Sequence, residues 1–140
     1  MTEHVHVENA EALTGIFGYW PSFHDGEVLS MKLTRDDEGG PSLEARVYVF
    51  HRTDRTDDRG FFLTERHTIA TLRFTNIWLN ELCWFNNSNI LSEIEIVAVD
   101  PEANEGRPIG VSFGSIYGVA VDLRCDSVHV KAVEPYVQAI

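Results

Sequence analysis

The sequence predicts an α+β protein that is mainly β: an antiparallel sheet or partly open barrel of about seven to eight strands with one short N-terminal helix. Three observations predict it. Apolar and polar residues alternate with period 2 through most of the chain after Glu27, as half-buried strands require. Only one segment, near the N-terminus, repeats its apolar residues at helical spacing. No strand–helix–strand spacing occurs, so consecutive strands are expected to join through turns as an antiparallel meander.

The helix is expected over Ala10 to Phe17, with Asn9 as its cap and Leu13, Ile16 and Phe17 as a buried stripe. Gly15 and Gly18 keep it short, and Pro21 forces Trp20 into an extended conformation. A turn follows at Ser22 to Gly26. The first strand then sets Leu29, Met31 and Leu33 against Val28, Ser30, Lys32 and Thr34, and ends in a polar turn from Arg35 to Pro41. Leu43, Ala45, Val47 and Val49 line one face of the next strand. Residues His51 to Glu65 alternate Arg and Asp, which reads as an exposed hairpin loop. Within it, Phe61, Phe62 and Leu63 begin the return strand in the core or form an exposed apolar edge; the core is the expectation.

Ala70, Leu72 and Phe74 share a strand face, and a dense apolar segment from Trp78 to Phe85 ends at the turn Asn86-Asn87-Ser88-Asn89. Leu91 to Val99 places Ile94, Ile96 and Ala98 opposite the exposed Glu93 and Glu95. Three strands follow a polar loop: Ile109 to Ile116, Val119 to Arg124, and Val128 to Val133. Tyr117-Gly118 and Asp126-Ser127 read as the tight links of hairpins.

Composition bounds the function. The chain has 140 residues, a one-domain size, and residues 1–140 are read as a single domain. Its net charge of −11 opposes binding to nucleic acid or anionic membranes and suits a basic partner. The absence of a signal peptide, a membrane span and clustered cysteines predicts a cytoplasmic protein, with Cys83 and Cys125 as buried reduced thiols.

Candidate chemistry centres on Ser22-Phe23-His24-Asp25-Gly26-Glu27, where an imidazole stands beside two carboxylates in a turn just ahead of a strand. A carboxylate beside His24 can orient it as a general base. Spacing supplies neither a nucleophile nor a metal, so a structural role in the turn is the expectation. His4 and His6 stand two apart without a third ligand, and His51, His67 and His129 sit in strand-like sequence. No metal or cofactor is expected, and no nucleophile elbow, phosphate loop or Cys-x-x-Cys pair occurs. The aromatics Trp20, Phe23, Trp78, Trp84, Phe85 and Tyr117 either line a groove or, as expected for a small β protein, form core.

The run Trp20-Pro21-Ser22-Phe23-His24-Asp25-Gly26-Glu27-Val28 resembles the signature near the N-terminus of the immunity protein 50 family of bacterial polymorphic toxin systems. The resemblance continues in Leu72-Arg73-Phe74-Thr75, in Asn89-Ile90-Leu91, in Tyr117-Gly118 and around Cys125 and Val128. Gly26 stands where alanine or another small residue is expected. The resemblance implies neutralisation of a cognate toxin by direct binding, without catalysis. Candidate motif residues are Trp20, Pro21, Phe23, His24, Asp25 and Glu27. Candidate partner contacts are Asp36, Asp37 and Glu38 on the first turn, Asp54, Asp57 and Asp58 on the long loop, and Glu93 and Glu95 on a strand face. The rival is a small-molecule binder or hydrolase with its pocket at His24 and Asp25; a sheet-edge homodimer is compatible with both.

Overall fold

The computed structural model describes residues 5–137. It contains β1 (Val7–Glu8), α1 (Glu11–Phe17), β2 (Glu27–Asp37), β3 (Gly40–Thr56), β4 (Phe62–Thr75), β5 (Trp78–Cys83), β6 (Ile90–Ala98), β7 (Ile109–Tyr117), β8 (Ala120–Cys125) and β9 (Ser127–Pro135). The nine strands form one sheet in the order β1-β9-β4-β3-β2-β6-β7-β8-β5, which is not closed. All pairings are antiparallel except that of β1 with β9. The sheet is therefore mixed rather than purely antiparallel. The strand count exceeds the expectation because β1 is only two residues long and the aromatic-rich β5 was read without a strand pattern.

The sheet folds back on itself. Phe74 on β4 meets Phe113 on β7 edge-to-face at 5.9 Å between centroids, although three strands separate them in the sheet. One residue, Asp126, links β8 to β9 across the same fold. That overturns Asp126-Ser127 as a hairpin: β8 pairs with β7 and β5, and β9 with β4 and β1. The inner faces supply one core, with Leu43, Ala45, Val47, Ala70, Leu72 and Phe74 from one half and Val111, Phe113, Val121 and Leu123 from the other. β2 meets β6 at a single residue pair, Glu27 with Ile90, and the two strands then part.

Parting opens two seams. Over one of them lie α1 and the β1 segment, packed on β9 and β4 with Leu13 and Phe17 buried and Val5, Val7 and Trp20 against the core; an open hollow of about 580 Å³ remains between them and β6. Asn9 does not cap this helix. The first turn begins at Ala10 without a side-chain cap, while Asn9 adopts φ 59° and its amide donates to the Val130 carbonyl at 2.9 Å, tying the helix to β9. At the other end Gly18 takes the left-handed φ of 82° and its N–H closes the helix on Thr14.

A bulge between Val28 and Ser30 shifts β2 by one residue, so Val28, Met31 and Leu33 face the same way, opposite Val47, Ala45 and Leu43. Leu33 nonetheless lies beyond the core and is 53% exposed. In β6, Ala98 is exposed rather than inward. Cys125 is buried and Cys83 only half-buried, both as free thiols.

The long loop expected at His51–Glu65 is instead a two-stranded arm. β3 and β4 continue through it, and only residues 57–61 turn. β2 pairs with β3 no further than Tyr48, and β9 with β4 no further than Thr68, so the arm projects beyond both neighbouring strands, touched at its base by Tyr19 on His51. Phe61, Phe62 and Leu63 are therefore exposed, at 66%, 51% and 41%, and do not enter the core. Among the described residues no helix is long and apolar enough to cross a membrane. Because Phe61 loses nothing on leaving the arm, Phe61→Ser should shift the unfolding free energy by less than about 0.5 kcal/mol. Leu72→Ala should cost about 2–5 kcal/mol. Equal losses in urea titrations would place Phe61 in a packed environment.

Candidate functional site

The nine-residue motif forms the corner between β2 and β6. Pro21 and Phe23 are buried, Trp20 packs edge-on against Phe23 at 5.9 Å, and Phe23 and Asp25 both take left-handed backbone angles of 69° and 63°. Such angles are uncommon outside glycine and survive only where surroundings enforce them. Here the backbone is stitched to β6: Asp25 N–H donates to Leu91 O, Leu91 N–H to Gly26 O, and Ile94 N–H to Ser22 O. Gly26 is required by space, since a Cβ would lie 2.9 Å from both the Phe23 and Tyr48 carbonyls.

Asn89, buried to 2% exposure, is the polar centre of this corner. Its amide nitrogen donates to Asn86 O at 2.7 Å and Val28 O at 3.4 Å, and its Oδ1 accepts from Asn86 N–H at 3.0 Å and Val119 N–H at 3.1 Å. Gly118, at φ 82°, passes so close that a Cβ would clash with Ser88 O and Asn89 Oδ1. Three segments distant in sequence thereby meet: the motif, Asn89-Ile90-Leu91, and Tyr117-Gly118.

His24 lies on the outside of the corner, more than half exposed, with Nδ1 hydrogen-bonded to Ser92 O at 2.9 Å and Nε2 3.5 Å from Asp25 Oδ2. None of the five principal hollows is lined by His24 or Asp25. Glu27 begins the β2 ladder opposite Tyr48. Among the described residues no group of three or more His, Cys, Asp or Glu side chains is placed to hold a metal; His4 lies outside them. His51 bonds Tyr19 at 2.6 Å, His67 bonds Tyr48 at 2.5 Å, and His129 bonds Glu8 at 2.6 Å.

The candidate acidic contacts divide. Asp37 accepts from Ser42 Oγ at 2.7 Å, Arg73 Nη2 at 2.8 Å and Glu38 N–H at 2.8 Å. These bonds, the Ser42 hydroxyl first, hold its carboxyl well below the ordinary carboxylate range. Asp57 accepts from Arg59 N–H and Phe61 N–H and so builds the tip of the arm. Asp36 faces water beside Arg35, and Glu38, Asp54 and Asp58 are exposed. The arm is not acidic: Asp54, Asp57, Asp58 and Glu65 are matched by Arg52, Arg55, Arg59 and Arg66.

The negative charge is concentrated elsewhere. Residues 28–77 and 127–140, which form β2, β3, β4 and β9, carry nine acidic and nine basic side chains. Residues 78–126, which form β5, β6, β7 and β8, carry eight acidic and two basic ones, a net charge of −6, and residues 1–27 supply the remaining five acids. On β6, β7, β8 and β5, the register places Glu95, Ser112, Asp122 and Glu81 in one cross-strand row, with Glu93 beside Gly114 in the next. Gly110, Ser112 and Gly114 leave the middle of this face low, so Glu93 and Glu95 stand on one side of a shallow trough and Asp122 and Glu81 on the other. Asp122 is held by Arg124 at 3.0 Å and Asn80 at 3.1 Å.

The same half bears exposed aromatics. Trp78, Trp84, Phe85 and Tyr117 are 49%, 73%, 46% and 60% exposed and do not form core; only Phe23, with Trp20 partly, does so. They lie on the edge strand β5 or at strand ends, where no layer covers them.

A family model for immunity protein 50 matches residues 9–136. The chain belongs to this family. No curated protein and no solved structure matches it. The immunity protein 50 match spans the corner, the arm and strands β2 to β9.

Two measurements test this description. Asn89→Ala strands the Asn86 and Val119 N–H groups and should cost roughly 1–3 kcal/mol for each, whereas His24→Ala removes one exposed bond and should cost about 1 kcal/mol or less. The reverse order in urea titrations would move the structural centre to His24. The depressed Asp37 carboxyl stabilises the fold above its unfolded-state value of about 4, and that stability is lost as pH falls towards the folded-state value. Asp37→Asn should therefore lower the thermal midpoint at pH 7, with the deficit shrinking below pH ~4. A deficit independent of pH would show that charge is not its cause.

Proposed function

We propose that this chain is an immunity protein that neutralises a cognate bacterial toxin by binding it directly, through the acidic half formed by β5, β6, β7 and β8. Charge segregation carries the reading: β5–β8 hold eight acidic and two basic side chains beside exposed aromatics, while the segments forming β2, β3, β4 and β9 are neutral. Carboxylates of one sign on a low-lying face steer a basic partner and speed its encounter, and desolvated aromatics set the lifetime of the complex. Membership in the immunity protein 50 family points the same way. The protein acts in this reading without catalysis, in the cytoplasm, on a toxin whose own basic surface is blocked.

Placing the interface here changes which acids matter. Glu93, Glu95, Glu81 and Asp122 are the steering residues, and Trp84 and Tyr117 the anchors. Asp37 and Asp57 serve the fold. Glu38, Asp36, Asp54 and Asp58 belong to the neutral half and contribute little. The motif residues Trp20, Pro21, Phe23, His24, Asp25 and Glu27 hold β2 and β6 together and so act on the interface through its shape.

Co-expression with the products of neighbouring genes is the direct test. Rescue of growth from one toxic product, with co-purification of the two proteins, is expected; no rescue from any of them sinks the reading. With the toxin in hand, Glu93→Lys with Glu95→Lys should lower the association rate by about tenfold or more at low salt and flatten its ionic-strength dependence. An unchanged rate would remove this face from the encounter.

A further inference from the structure

Over one seam of the sheet lie α1 and β1, which leave a hollow against β6, but none of the described residues lies over the other. Beyond its single pair with β6, β2 is bonded only to β3, so its opposite edge is free from Ser30 onward. β5 ends the sheet and pairs only with β8. Between these two edges Met31, Leu33, Leu82 and Phe85 line one apolar hollow of about 230 Å³. Leu33, Leu82 and Phe85 are substantially exposed there. Trp84, next along the chain, is the most exposed aromatic of the acidic half and is held at a left-handed φ of 61°.

We infer that this seam receives an extended segment of a partner protein, with basic and apolar residues in alternation, which adds as a strand to the free edge of β5. The inference rests on the immunity reading only for the partner's identity. Backbone chemistry selects a strand, because an exposed edge presents unpaired N–H and C=O groups at strand spacing. The hollow selects apolar residues at every second position, since those of an added strand continue the inner face over Met31 and Leu33. Charge selects a basic partner: Glu81 lies on β5 and Asp122 beside it, in the half whose eight acidic and two basic side chains leave it at −6. The same charge disfavours a second copy, which would bring two chains of −11 together edge to edge. β5 is blunted only by the bulge between Leu79 and Glu81 and by Glu81 itself; it has no proline or lysine.

A fluorescein-labelled peptide of four Lys-Val repeats is the probe, read by anisotropy against the intact protein. Saturable binding is expected. Binding should weaken about tenfold or more when every peptide amide is N-methylated, which removes the strand donors, and when Glu replaces Lys. The exposed-residue variant Leu33→Asn with Phe85→Asn should lose binding to a similar degree while keeping its thermal midpoint. Absence of saturable binding, equal binding of the N-methylated peptide, or a concentration-dependent dimer that the peptide disrupts would overturn the assignment. Full toxin neutralisation by the double variant would overturn the seam and leave the immunity reading intact. Peptide binding without rescue from any neighbouring gene product would do the opposite.

Discussion

The fold depends on one corner, where the buried Asn89 side chain holds four backbone groups from three separate segments. β2 and β6 share a single residue pair, too little on its own to orient two halves of a sheet. Asn89 supplies the missing constraint by joining Val28, Asn86 and Val119, and the left-handed residues Phe23 and Asp25 direct the chain into it. A buried amide satisfied on every side is rigid because each alternative arrangement strands a donor or an acceptor in a dry interior. With the corner fixed, the angle between the halves follows, and with it the contact of Phe74 with Phe113.

That angle also explains why the sheet stays open. Strands joined at one point diverge on both sides of it, and each divergence exposes an apolar inner face. The N-terminal helix reduces that exposure on one side by burying Leu13 and Phe17, and leaves a hollow against β6. On the other side the chain leaves Leu33, Leu82 and Phe85 partly in water, a cost of exposed apolar surface that a fold built for stability alone has no reason to bear. The two seams thus differ: the chain's own helix lies over one, and among the described residues nothing lies over the other.

Much of this was legible in the sequence where alternation is regular. Leu43 to Val49 and Ala70 to Phe74 are central strands whose facing residues are buried as their period requires. Legibility failed where a feature depends on neighbours in space. A bulge after Val28 shifts the register of β2 without leaving a glycine or proline to mark it. Trp78, Trp84, Phe85 and Tyr117 read as core because large aromatics usually are, yet burial is decided by whether a second layer exists, and at β5 none does. Phe61 to Leu63 failed for the same reason, since nothing local says that the arm outruns β2 and β9. The crossing at Asp126 was hidden because a one-residue link looks like a hairpin until strand order is known.

At the candidate site, the motif was visible as a turn and its meaning was not. The pairing of His24 with Asp25 draws attention as chemistry, while the residues that shape the corner are Gly26, with no room for a methyl group, and Asn89, which the sequence marks as a turn residue and as part of a short matching segment but not as a buried polar centre. The charge pattern was present throughout but concealed by summation: a net charge does not distinguish a uniformly acidic surface from a neutral half joined to an acidic one. That separation has a physical use. Carboxylates in one cross-strand row repel one another, and Glu95, Asp122 and Glu81 raise the energy of the half that carries them. The neutral half supplies the compensating stability, with its balanced charges and its Arg73–Asp37 and Arg46–Glu134 pairs at 2.8 Å. Substitutions on the acidic face can then change its charge without passing through the residues that keep the protein folded.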